Sequence, residues 1–221
     1  DLAKGQWNYT GTKQYAIAHI GNAVYPTMTV NGDLGGKKYH IHQILFENST
    51  DRTINNSSEG YLSLGGGTGN AKIEAVTGKG TGTYTFNVPI TYEKSVELNP
   101  VGGNLIFNFP IDNGGFNTDV SGSAGKSLSI ASMSGAGGLT IKSNPTTVKI
   151  TGTSTYTGNT NVDYGTLELQ ADLSSEEIIV ANGAKLVING NDVDVEKLTI
   201  NSGGTVEVKA GKSLTVNGAL N

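Results

Sequence analysis

The chain has 221 residues, a formal net charge of −4 and a pI near 5.3, with Arg52 as its single arginine. A surface that tracks nucleic-acid phosphates is therefore excluded. Cys 0 excludes disulfides, thiol chemistry and thiolate metal sites, Gly 32 against Pro 5 excludes collagen-like and Pro-rich chains, and no apolar run is long enough for a membrane-spanning helix.

Taken in chain order, residues 1–40 gather Trp7, Tyr9, Tyr15, Tyr25 and Tyr39, while nothing after Tyr164 is aromatic. Two uses are open: a platform that stacks sugars, or a cap over the open end of a repeat structure, which solenoids require. The cap is the preferred reading. His40-Ile41-His42 places two imidazoles on one strand face, and His19 could complete a three-His metal site. Solvent-facing or turn histidines with no metal are the simpler reading.

Short strands of the form apolar-x-apolar then begin at Ile44, Leu62, Tyr84, Leu105, Leu128, Val148, Leu167, Leu186 and Val206, at intervals of 18 to 23 residues. The clearest repeat is "TYTFNVPIT" at 83–91 against "NLIFNFPID" at 104–112, which aligns Phe86 with Phe107 and Asn87 with Asn108 at a spacing of 21. A second series, Ile178/Val180, Leu198/Ile200 and Leu214/Val216, falls between members of the first. Each unit thus carries at least two strands and a turn.

Alternation of period two puts each apolar pair on one face. Asn-Gly and Ser-Gly punctuation, as at 182–183, 189–190 and 217–218, supplies the φ > 0 conformations that corners need. An antiparallel β-sandwich also has short strands bounded by turns. The regular interval and the unchanged pattern up to residue 221 favour an all-β parallel β-helix of about nine rungs of about 20 residues. Lys149, Glu168, Val187 and Glu207 should then form an outward column with steps of about 4.8 Å, in which Lys149 and Glu168 make a weak surface pair.

The Gly clusters "GGGTG" at 65–69 and "GAGG" at 135–138 lack the Lys-Ser/Thr and strand-to-helix context of a phosphate cradle and read as corners. "NDVDVE" at 191–196 offers Asp192, Asp194 and Glu196 as one carboxylate column, suited to acid–base work or Ca²⁺. A solvated loop between rungs is the simpler reading, because the equivalent columns carry Thr, Asn and Gly.

The segment "LTIKSNPTTVKITGTSTYTGNTNVDYGTLELQ", residues 139–170, resembles the passenger-associated transport repeat of bacterial autotransporter adhesins. Its elements are Ile150 to Gly152, Ser154 to Gly158, Thr160 to Val162 and Gly165 to Leu169, with Ser154 where Asn is common and Asn159 where a second Gly is common. The stretch before it, from about residue 80, is similar to the segment that precedes that repeat. The tail "EKLTINSGGTVEVKAGKSLTVNGALN" resembles spacer rungs of secreted Bacteroidetes surface proteins. The resemblance implies a right-handed β-helix, outer-membrane export machinery as a partner and an extracellular or cell-surface location. It implies no activity.

The expectation is therefore a cap over residues 1–40 and a β-helix over 41–221 that continues beyond the fragment. The expected role is a non-catalytic structural or adhesive segment of an exported bacterial surface protein, with no cofactor, no nucleic acid and no membrane span. Glycans or host and neighbour-cell surfaces are the expected contacts. The alternative is a β-helix that binds carbohydrate, or cleaves it as a polysaccharide lyase or hydrolase, through the N-terminal aromatics or the 191–196 carboxylates.

Overall fold

The structure is a computed structural model that describes residues 16–20, 27–30, 39–56, 60–143, 146–190 and 192–221. Among these the chain is all-β without a helix, a parallel β-solenoid of about eight turns. At about 4.8 Å per turn the stack rises roughly 40 Å.

Each full turn has three faces, in keeping with at least two strands and a turn per unit. Chain order runs from the first face through the second to the third, as in Ala71–Ala75, Thr83–Asn87 and Ile90–Tyr92. The next turn repeats them as Val96–Pro100, Asn104–Phe107 and Ile111–Asp112, each in parallel register with its predecessor. The strand Tyr39–Phe46 bends round a corner: residues 39–41 pair with the third face at Leu62–Leu64, and residues 43–46 pair with the first face at Ala71–Ala75. The third face narrows to single bridges at Ser154 and Leu173, then widens to Asp192–Val195 and Ser213–Val216.

The second face is the most regular. Its nine strands run from Thr27–Val30 to Thr205–Val208. Inward positions stack vertically in the order Ile54, Phe86, Phe107, Ile130, Ile150, Leu169, Ile188, Val208. The expected contact of Leu167 with Leu186 and the outward column Lys149, Glu168, Val187, Glu207 are both present. Phe86 lies on Phe107 with ring centroids 4.6 Å apart and edge-on to Phe46 at 5.9 Å. Beside them Asn87 donates to Asn55 and Asn108 to Asn87, both at 2.8 Å, so the aligned asparagines form a ladder.

The first two rung starts lie on other faces, and one member of the second series does too. Ile44/Phe46 belongs to the first face and Leu62/Leu64 to the third. The second-face strand of that turn is Arg52–Asn56, hidden from an apolar pattern because its first inward residue is Arg52, buried above Tyr84. Leu214/Val216 likewise joins the third face, not the series of Ile178/Val180 and Leu198/Ile200. Counting Ile44 and Leu62 as two starts, where the second face has the single strand Arg52–Asn56, gives about nine rungs for about eight turns.

The Thr-rich stretch 153–160 contributes to the interior as well as the surface. Ser154, Tyr156 and Thr160 point inward and are fully buried, while Thr153, Thr155 and Thr157 are exposed. The Tyr156 hydroxyl lies 2.6 Å from Thr160 Oγ1, which donates to Ser175 Oγ at 2.9 Å, and Ser154 Oγ accepts from Met133 N at 3.0 Å. Burying these hydroxyls is tolerable because each has a partner. Burial also pushes the Tyr156 phenol well above its ordinary pKa, so it stays a neutral donor.

Candidate functional site

The aromatic cluster lies mostly outside the described residues: Trp7, Tyr9, Tyr15 and Tyr25 wholly, and Tyr39 in its side chain. The backbone of Tyr39 opens the strand that faces Leu62. Two strands within residues 1–40, Ala16–Ile20 and Thr27–Val30, pair in parallel with Tyr39–Phe46 and Arg52–Asn56.

The histidines are not the solvent-facing pair expected. The side chain of His40 is 7% exposed, and its Nδ1 lies 3.1 Å from Glu93 Oε1. His42 is also buried, its ring so close over Gly67 that a Cβ there would meet it at 2.5 Å. His19 faces Leu45 across the ladder, with its side chain outside the described residues. Among the described residues no three His, Cys, Asp or Glu side chains converge on a common metal position. Glu93 escaped sequence reasoning because it is 53 residues from His40. The loop 65–70, between Leu64 and Ala71, breaks the period of 20 that would have aligned them.

The carboxylates of 191–196 are on a strand, Asp192–Val195, with Asp192 and Asp194 exposed and Val193 and Val195 buried. A fourth acid joins them: Leu173 bridges to Val195, and Asp172 Oδ1 accepts from Asp194 N at 3.0 Å. On the other side the Ser213 hydroxyl donates to Asp192 at 2.6 Å. Asp172 was missed because a one-residue bridge has no alternation to read.

Charge is sorted by face. On the first face Lys72 meets Glu97 at 3.5 Å, Lys142 meets Asp119 at 2.8 Å and Lys197 meets Glu177 at 3.1 Å. On the second, Lys149 meets Glu168 at 3.8 Å, and Glu207 takes both Lys185 and Lys209. Among the described residues, Asp112, Asp172, Asp192, Asp194 and Glu196 of the third face make no ion pair. Phe109 and Phe116 stay exposed on the turn that carries Asp112.

The paired carboxylates set an acid limit for the fold. At Glu168 burial pushes the pKa up, but hydrogen bonds from Asn189 and Gln170 and the Lys149 charge outweigh it. At Glu177 the Thr199 and Lys197 hydrogen bonds lower it, and at Glu207 those of Lys185 and Lys209 bring it down to about 2. A carboxylate whose folded pKa lies below its ordinary value near 4.5 stabilises the fold fully above that value. The contribution is lost as pH falls toward the folded value. Thermal unfolding followed by circular dichroism should give a flat midpoint from about pH 7 to 5 and a decline below about 4.5. Glu207→Gln should make that decline shallower.

No protein-family model, no curated protein and no solved structure matches the chain. Among the described residues no helix is long and apolar enough to cross a membrane.

Proposed function

We propose that the chain is a structural or adhesive segment of an exported bacterial cell-surface protein, displayed outside the cell as part of a rod. The observation that carries this reading is the uninterrupted parallel register of the second face, from Thr27–Val30 through Thr205–Val208. Such a stack holds what it bears at a fixed distance and direction. Each turn contacts mainly its neighbours, so the chain can fold progressively as it emerges from export machinery. The resemblance of residues 80–170 to autotransporter passengers, and of the tail to Bacteroidetes surface-protein spacers, supports delivery through an outer membrane. Antibody raised against the folded chain should label intact cells of the source bacterium. Labelling only after lysis would sink the reading.

A second reading, carbohydrate binding, draws on the third face. Asp172, Asp192, Asp194 and Glu196 sit there without cationic partners among the described residues, and Phe109 and Phe116 offer exposed rings. Sugar recognition combines aromatic stacking with carboxylate acceptors. Binding on a glycan array that disappears in Phe116→Ala would promote this reading over a purely mechanical one.

A further inference from the structure

We infer that Asn113 is a latent modification site: its side-chain amide is shielded while two turns stay closed on it, and when they part it cyclises onto Gly114 and leaves an acid that the corner cannot take back. The inference is independent of where the rod is displayed.

Asparagine followed by glycine is the pair most prone to this loss, because glycine puts no side chain in the way of its own nitrogen. Four such pairs lie among the described residues, at 113–114, 182–183, 189–190 and 217–218. They are not equally guarded. Asn113 is 0% exposed; its Nδ2 donates to Gly137 O at 3.0 Å, and its Oδ1 accepts from Gly137 N at 2.9 Å and from Gly115 N at 3.1 Å. The attacking atom is held as well, since Gly114 N–H donates to Asp112 Oδ1 at 3.0 Å. Asn182 is exposed, and its side chain makes no hydrogen bond among the described residues. Only Gly183 N–H is tied there, to Gly203 O at 3.0 Å.

Stacking sets the guard at Asn113. Gly137 belongs to the corner of the next turn, between Met133–Ser134 and Leu139–Ile141, and Asn113 N–H also reaches that turn, at Ser134 O, 2.9 Å away. The amide is therefore released when these two turns separate, a local opening that need not involve the whole rod.

In the reaction, Gly114 N bonds to Asn113 Cγ and the Cγ–Nδ2 bond breaks. The amide nitrogen takes the Gly114 proton and leaves as ammonia, closing a five-membered imide. Water then opens the imide at either carbonyl, giving an aspartate or its iso form at position 113. A carboxylate there would set an oxygen against Gly137 O where Nδ2 had donated, buried and without that donor. The iso form adds a backbone carbon to a corner so tight that a Cβ on Gly137 would lie 1.8 Å from Phe116 O. Opening is thereby recorded in the covalent structure.

The 221-residue chain is held in mildly alkaline buffer, folded and in parallel unfolded in urea, and peptide mass spectrometry follows amide loss at each pair. Relative to its own rate in urea, Asn113 should be slowed at least about tenfold more than Asn182, the effect of one further hydrogen bond of ordinary strength. Equal slowing at the two positions overturns the inference. Asn113→Asp should lower the urea midpoint or prevent folding, whereas Asn182→Asp should leave the midpoint unchanged. An Asn113→Asp chain as stable as the parent overturns it too.

Discussion

Phe86→Ala should lower the stability of the rod by about 3–5 kcal/mol, read from chemical denaturation. Phe86 is fully buried and stacked on Phe107 at 4.6 Å, with Phe46 edge-on at 5.9 Å. Truncation removes its buried apolar area and opens a cavity that parallel strands, tied above and below by their ladders, cannot close. It also forfeits two ring contacts, each worth about 0.5–1.5 kcal/mol beyond area. In a solenoid the damage passes to adjacent turns through their shared interfaces. Hydrogen exchange should therefore quicken in Arg52–Asn56 and Asn104–Phe107 before it does in Lys185–Ile188. A loss below about 1 kcal/mol would mean that the aromatic column is not a principal contributor.

The second large effect is expected at a corner. A Cβ on Gly137 would lie 1.8 Å from the carbonyl oxygen of Phe116 and 2.5 Å from its carbonyl carbon. Both atoms are backbone, so no rotamer change relieves the clash. Gly137 N and O are also held, at 2.9 Å and 3.0 Å, by the side chain of buried Asn113. Gly137→Ala should cost about 2–5 kcal/mol, combining overpacking with imposed backbone strain. Gly183→Ala is the comparison: its φ of +76 disfavours a side chain, but a Cβ there meets nothing within 4 Å. It should cost only about 1–2 kcal/mol. Equal losses in the two variants would contradict the close approach of successive turns at this corner.

Legibility in the sequence tracked how regularly each face repeats. The second face could be read because its inward residues from Tyr84 to Val206 are apolar pairs at nearly constant spacing, and with it came the Lys149 to Glu168 and Leu167 to Leu186 neighbours. The third face could not, since at Ser154 and Leu173 it is a single residue wide and leaves no alternation. Arg52 hid one strand by placing a cation at an inward position, above Tyr84. Candidate sites fared worse for the same reason. His40 and Glu93 meet only because two successive turns, one lengthened by the loop 65–70, bring them back to one face. Asp172 reaches Asp194 through a one-residue bridge. Local pattern reports the period of a solenoid, whereas its sites depend on the exact residue count of every turn.

The native chain has no cysteine, so engineered pairs can report the vertical neighbours directly. Partners in adjacent turns have backbones about 4.8 Å apart, inside the Cα range of about 4.4–6.8 Å that a disulfide spans, whereas partners two turns apart are beyond it. Lys149→Cys with Glu168→Cys, which are cross-strand partners, should oxidise to an intramolecular disulfide seen as a mobility shift on a non-reducing gel. Lys149→Cys with Val187→Cys, one further turn away, should stay reduced under the same conditions. Ready closure of the second pair with failure of the first would contradict the stacked register on which the whole account stands.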